Sequence, residues 1–212
     1  MLHQHQLNTP VMACAFSVDG RFCAVATPNS TIEVYRVPSS TCLAATATWP
    51  RVATLTGHDD PVTALDWSHP VGLLLSCSED RNAFVFTPPE DTSSSSAAAP
   101  SVRLQEQDGS SVPPAQPLWH RQAVSARLSR AALCAAWAPS GSKFALGSAD
   151  RCLSICAYSP QGACYTSRLI RNAHDGPVAA VAWHHGNSLL ASCSADGTCR
   201  VFSAYILGVR KR

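Results

Sequence analysis

Short apolar stretches of five or six residues, cut by polar turns, recur along the chain. Near its end Val178–Trp183 is apolar, His184–Asn187 polar and Leu189–Ser194 apolar again; Ala195-Asp196-Gly197 has a tight turn's composition, and Thr198–Phe202 follows. Stretches of that length between turn residues predict three consecutive antiparallel strands, with Gly197 taking a positive φ. The same spelling occurs earlier. Gly57–Thr87 returns as Ala173–Ser203, with His58/His174, Trp67/Trp183, Ser76/Ser192, Asp80/Asp196 and Phe86/Phe202 all 116 residues apart.

Two weaker copies share the frame. The first aromatics are Phe16, Trp67, Trp137 and Trp183; thirteen residues on stand Asn29, Asp80, Asp150 and Asp196, and nineteen on Tyr35, Phe86, Cys156 and Phe202. A fourth strand per copy is expected between repeats, as at Trp49–Thr56 and Trp119–Leu128. The fold class is therefore all-β, in blades of four antiparallel strands per ~40–45 residues, as in a propeller. The blades are expected near 11–56, 57–128, 129–172 and 173–212.

Pro88–Pro117 breaks the pattern. Pro, Ser and Ala fill 17 of its 30 positions and it has no aromatic, the composition of a disordered loop inserted in blade two. Without it 182 of the 212 residues remain, about 45 per copy. The insertion follows the third strand of its blade, which puts it on the face opposite the His58 and Asp80 turns.

Composition narrows the function. Charged residues are 14% of the chain and the net charge is +2, so no polyanion-binding field and no nucleic-acid partner is expected. The polar start and the absence of a long apolar run predict neither an export signal nor a membrane span. The ten cysteines sit in apolar runs such as Ala131–Trp137 and Cys152–Tyr158, which reads as reduced, buried thiols.

His58, Ser76 and Asp80 are the residue types of a nucleophilic triad. Recurrence of the trio as His174, Ser192 and Asp196 argues against a hydrolase, since a nucleophile needs one exposed, strained position, and no G-x-S-x-G elbow exists. The reading preferred is structural: the turn Asp accepts bonds from turn N–H groups and the His, and the Ser hydroxyl continues the chain. Asp150 takes the same place in the third copy. Copies one and three carry Leu7 and Leu128 instead of the His and should rely more on packing. Cys152 and Cys156 lack a second Cys/His pair at zinc spacing, His184-His185 fits a solvated turn, and no phosphate or dinucleotide loop occurs. No metal, cofactor or small-molecule substrate is expected, and the chain is not expected to be an enzyme.

The string GH…V…W…SCSxD…VF resembles the WD40 family across nearly the whole chain outside the insertion. DRNAFVFT at Asp80–Thr87, Ser129–Tyr158 and CRVFSAYI at Cys199–Ile206 are similar, more narrowly, to the family of WD40 subunits of the actin-related protein 2/3 complex. That resemblance implies a non-catalytic scaffold, cytoplasmic and cytoskeletal, whose partners are the other complex subunits and actin filaments and which contributes to nucleation of branched filaments. It also implies seven blades, of which the chain has about four, so a truncated or misassembled product, an open arc or a four-bladed ring is expected. The alternatives are a generic WD40 protein-interaction adaptor and a non-functional truncated paralogue. The turns carrying Asp59, Asp60, Arg81, Arg151 and Asp175 are the candidate partner-contact rim.

Overall fold

The computed structural model describes residues 6–38, 49–89 and 119–205. Among them are fifteen strands and no helix. The first sheet runs in chain order through β1 (Ala13–Phe16), β2 (Phe22–Ala26), β3 (Ile32–Arg36) and β4 (Arg51–Leu55), all antiparallel. A second meander follows in β5 (Val62–Trp67), β6 (Leu74–Ser78), β7 (Ala83–Thr87) and β8 (His120–Val124). The third comprises β9 (Ala132–Trp137), β10 (Lys143–Ser148), β11 (Leu153–Ser159) and β12 (Cys164–Ile170). Its outermost strand touches β8 through a single parallel pair, Val124–Tyr165, so the two meanders form one continuous sheet. The last sheet holds β13 (Val178–Trp183), β14 (Leu189–Ser194) and β15 (Cys199–Ser203).

The architecture is a row of blades. Two of the last blade's three expected strands have the predicted bounds, while the third begins and ends one residue later, at Cys199 and Ser203. The expected strands at Trp49–Thr56 and Trp119–Leu128 shorten to the five-residue β4 and β8, because only those residues reach a partner strand. Of the Pro/Ser/Ala-rich segment only Pro88 and Pro89 fall among the described residues. Its flanking strands pair directly, with Thr87 opposite His120.

The repeat extends to backbone geometry. The turn between the first and second strands of each blade is closed by a left-handed residue, Gly20, Gly72, Gly141 or Asn187. The turn between second and third strands has one as well, immediately after the aligned Asn or Asp: Ser30, Arg81, Arg151 and Gly197. Only the last is the glycine that such a φ favours; in the middle blades arginine adopts it at φ 69° and 67°.

The core lies between blades rather than within one. Ala24, Ala26, Ile32 and Val34 of the first blade pack on Val62, Leu65, Trp67, Leu74 and Phe86 of the second. Leu75, Cys77, Ala83 and Val85 on the second blade's other face meet Ala132, Trp137, Phe144 and Leu146 of the third. Ala145, Leu153 and Ile155 then meet Val178 and Leu190, with Trp183 and Phe202 alongside. Each junction sets a face of small and aliphatic side chains against one that carries aromatics, and each fully buried aliphatic contributes roughly 1.5–3 kcal/mol.

Polar bonds fix the spacing of adjacent blades. Thr63 Oγ1 donates to the Ala132 carbonyl at 2.6 Å, and Trp183 Nε1 to the Ala136 carbonyl at 2.9 Å. The Asp66 carboxylate accepts from the Trp137 backbone N–H at 2.5 Å. Burial raises the pKa of Asp66 against the lowering effect of that bond.

Candidate functional site

The turn between β6 and β7 holds Asp80 at the end of the second blade, and the segment leading into β5 lays His58 across it. Asp80 Oδ2 lies 2.8 Å from His58 Nδ1 and accepts from the Asp59 N–H at 3.1 Å; Oδ1 accepts from the Asn82 N–H at 2.8 Å. The other ring nitrogen of His58 lies 2.8 Å from Ser76 Oγ on β6. All three side chains are buried. Burial lowers the His58 pKa, with Asp80 opposing, while burial raises that of Asp80 and is outweighed by the Asn82 N–H, the histidine and the Asp59 N–H. The pair is therefore a neutral imidazole on an ionised carboxylate: Nδ1–H donates to Asp80, and the Ser76 hydroxyl donates to Nε2.

The second copy has the same shape with one more member. His174 Nε2 lies 2.7 Å from Ser192 Oγ, and Nδ1 lies 3.2 Å from Asp196 Oδ2 and 3.1 Å from Thr198 Oγ1. Asp196 also accepts from the Asp175 N–H at 2.9 Å, the Thr198 N–H at 2.8 Å and the Thr198 hydroxyl at 2.7 Å. Desolvation works upward on its pKa, but these donors hold it well below the usual carboxylate range. Arg200 stands where the second blade has Phe84, and its guanidinium bridges the Ala173 carbonyl at 2.9 Å and Asp175 at 3.0 Å. In the second blade a neighbour does this work. Arg121 of β8 lies over the Phe84 ring at 5.0 Å and donates to the Thr56 carbonyl at 2.9 Å. A Cβ on Gly57, which holds φ 138°, would fall 1.7 Å from that guanidinium, so a larger residue there would displace the Arg121 side chain.

Blade three departs from the expectation that a blade without the histidine rests more on packing. Asp150 accepts from the Ser129 N–H at 2.9 Å, the Ser129 hydroxyl at 2.7 Å and the Cys152 N–H at 3.1 Å. Ser129, one residue after Leu128, supplies the side-chain bond that the imidazole supplies elsewhere. A second hydroxyl set also escapes the motif. Ser78, Ser148 and Ser194 each accept from the N–H of the turn aspartate two residues on, at 3.1, 3.3 and 3.2 Å. Their signal was available as a serine at one position in three copies.

The trio has the connectivity of a hydrolytic triad but not its access. Ser76 and Ser192 are buried in the middle strands of their blades, with the imidazole packed over each hydroxyl. Asp59, Asp60, Arg81, Arg151 and Asp175 are all exposed on the loops and turns at this end of the sheets. At the opposite end a cavity of about 480 Å³ between the first two blades is lined by Phe22, Arg36, Trp67, His69 and Trp119 among others. Among the described residues no three His, Cys, Asp or Glu side chains gather as metal ligands. No helix among the described residues is long and apolar enough to cross a membrane.

Among the described residues the expectation of uniformly buried cysteines is corrected; Cys42 lies outside them. Cys23, Cys77, Cys134, Cys152 and Cys156 are buried, but Cys14, Cys164, Cys193 and Cys199 are exposed. The first group lies on faces between packed blades or against the N-terminal segment; the second lies on an outer strand or on the faces at the two ends of the row.

The family described as "WD domain, G-beta repeat" matches residues 1–36, 49–87 and 165–203. The matches at 49–87 and 165–203 each begin on the last strand of one blade and continue through three strands of the next, so the sequence repeat straddles the blade boundary. The actin-related protein 2/3 complex subunit 1A of Arabidopsis thaliana is 33% identical over 97% of this chain, which covers 46% of that protein. Subunit 1 of the same complex from Saccharomyces cerevisiae is 32% identical over 96% of this chain and 44% of its own length. Subunit 1A-B of Xenopus laevis is 28% identical over the whole chain and 48% of its own length. The chain thus spans about half the length of the curated relatives it matches. A repeat that returns strand by strand, with the same turn aspartate, left-handed residue and blade-to-blade packing, places this chain in the WD domain, G-beta repeat family.

Proposed function

We propose that the chain is a non-catalytic scaffold of an actin-related protein 2/3 complex, acting with that complex in nucleating branched actin filaments. The observation that carries the reading is the likeness to subunit 1 at 32% and 33% identity along 96% and 97% of the chain in a yeast and a plant. Its partners are the other subunits and, through them, actin filaments; its place is the cytoplasm and the cytoskeleton. The rigid frame is the row of blades with bounds near 11–56, 57–128, 129–172 and 173–212. In the last three of them, the turn aspartate with its histidine or serine fixes a corner rather than activating a nucleophile.

The exposed rim of Asp59, Asp60, Arg81, Arg151 and Asp175 is the contact surface of this reading. It carries both acidic (Asp59, Asp60, Asp175) and basic (Arg81, Arg151) groups, a mixture that selects the register of a partner more than it adds affinity. Affinity capture on the tagged full chain tests the proposal. Recovery of actin-related subunits supports it and is expected to weaken when Asp59, Asp60 and Arg151 are replaced by alanine together. Recovery of vesicle-coat or ubiquitin-ligase components without them refutes it. Labelling of Ser76 or Ser192 by an activity-based serine probe would refute the non-catalytic part alone.

A further inference from the structure

Nine cysteines lie among the described residues, each with a free thiol. Of these, only two stand directly opposite each other on neighbouring strands: Cys193 of β14 pairs with Cys199 of β15. The turn that joins the strands defines the kind of pair. The Ser194 N–H donates to the Thr198 carbonyl at 3.2 Å, which makes residues 194 and 198 a hydrogen-bonded pair. Such pairs alternate with non-hydrogen-bonded ones along an antiparallel ladder, so Cys193 and Cys199 belong to the second type, whose Cα atoms stand about 4.5 Å apart with both side chains on one face. A disulfide spans Cα separations of about 4.4–6.8 Å. The backbone therefore holds the two thiols at bonding range, and side-chain rotation alone brings sulfur to sulfur. Ala180 is the neighbour of Cys193 on β13, and its small side chain leaves room for that rotation.

The other cysteines are placed differently. Cys77 has the repeat position of Cys193 but stands opposite Ala83, and in blade three Gly147 takes that position opposite Leu153. Cys14 and Cys23 share a face of blade one, yet they are diagonal, with Val25 opposite the first and Phe16 opposite the second. A diagonal of this kind spans about 7–8 Å, beyond the reach of a disulfide.

From this register we propose that Cys193 and Cys199 are a redox-responsive dithiol, which hydrogen peroxide converts to a disulfide across the β14–β15 hairpin. One thiolate attacks a peroxide oxygen, the O–O bond breaks, and a sulfenic acid and a water result. The second sulfur then attacks the first; the S–S bond forms, and the sulfenic oxygen leaves as a second water with the remaining thiol proton. Two thiols are oxidised and one peroxide is reduced. The bond closes a loop of seven residues, 193–199, with Asp196 at its centre. That carboxylate lies 3.2 Å from His174 Nδ1 and accepts from the Asp175 N–H and the Thr198 hydroxyl, so oxidation staples the corner network of the last blade. The pair needs no contact outside its own hairpin, and the inference does not depend on the partner proposed above.

The test titrates the reduced full chain with peroxide, alkylates it with iodoacetamide and digests it with trypsin. Arg171 and Arg200 bound one tryptic peptide, residues 172–200, which contains both cysteines and no other. At one equivalent of peroxide this peptide should become two hydrogens lighter and refuse iodoacetamide, at least tenfold faster than Cys14 or Cys164 loses its thiol, and dithiothreitol should restore both thiols. Amide exchange at residues 194–198 should slow at least threefold in the oxidised chain. In Cys199→Ser, with an unchanged circular dichroism spectrum, Cys193 should stop at a sulfenic acid that dimedone captures. Thiols that survive peroxide no better and no worse than Cys14 and Cys164 overturn the proposal. So do sulfenic or sulfinic acid on the unsubstituted peptide without loss of two hydrogens, and a disulfide from Cys193 to any cysteine other than Cys199 of the same chain.

Discussion

Replacing Asp80 with alanine tests the corner network most directly. The substitution removes the acceptor of three donors: His58 Nδ1–H, the Asp59 N–H and the Asn82 N–H. Asp59 and Asn82 are exposed, so their N–H groups rebind water at a net loss of about 0.5 kcal/mol each. The imidazole cannot, because its side chain is only 1% exposed, and a buried donor without a partner costs about 1–3 kcal/mol. Together these give a loss of roughly 2–4 kcal/mol, a fall in Tm of about 5–15 °C for a chain of this size. Asp150→Ala is the internal control. Its donors, Ser129 N–H, Ser129 Oγ–H and the Cys152 N–H, include no buried imidazole, so at about 0.5 kcal/mol each the cost should be about 1.5 kcal/mol. Urea unfolding followed by tryptophan fluorescence, on both variants and on His58→Ala with and without Asp80→Ala, measures these losses and the His58–Asp80 coupling. Equal losses at positions 80 and 150, or a coupling indistinguishable from zero, would refute the argument that a buried imidazole makes the difference.

Stability should fall as the pH drops through 6.5, because burial keeps His58 neutral in the fold while the unfolded chain takes up the proton; His58→Gln should flatten that part of the profile. Further acidification through the ordinary carboxylate range should remove the contribution of Asp80, whose folded pKa is lowered, and an unchanged urea midpoint from pH 7 to pH 3 would contradict both signs. Arg151 holds φ 67°, so Arg151→Gly should be neutral or stabilise by up to about 1 kcal/mol while Arg151→Val should cost more than that; equal melting temperatures for the two would show the turn unstrained. Amide exchange in the 212-residue chain should be faster in β14 than in β6 or β10, since among the described residues β13–β15 pack against one neighbouring blade and the two middle blades against two, and equal protection would contradict the assignment of cohesion to the junctions between blades.

The repeat made the strands legible because its landmarks alternate with the pleat. Trp67 and Trp183 each end a first strand, Ser76 and Ser192 sit mid-strand two, and Asp80 and Asp196 sit in the following turn. The His–Asp and His–Ser pairings could be read from the same spacing, since residues 22 and 18 apart fall together once strand two folds back. Ser129 and Thr198 could not, because a hydroxyl beside the aspartate substitutes for, or joins, the imidazole without keeping its place in the string. Nor could the bond from the Trp137 N–H to Asp66, 71 residues away, which depends on the spacing of two blades. Cysteine exposure failed for a further reason: Cys193 and Cys77 have the same neighbours in sequence and the same strand position, and differ in whether a described blade packs on their face.

A constellation of aspartate, histidine and serine is compatible with two opposite uses, and solvent access separates them. In a nucleophilic triad the serine must leave its bond to the imidazole and reach a carbonyl carbon, while donors stand ready for the oxyanion. Here the serine lies in the middle strand of a blade with sheet on both sides, and its proton is committed to Nε2. The same low dielectric that would punish an unpaired imidazole rewards the complete chain of bonds from turn N–H to carboxylate to ring to hydroxyl, each with its partner. On the proposed reading, the network gains rigidity from the same burial that closes its hydroxyl to a substrate. That is why it can recur in a second blade without conflict, whereas a reaction centre needs its opening only once.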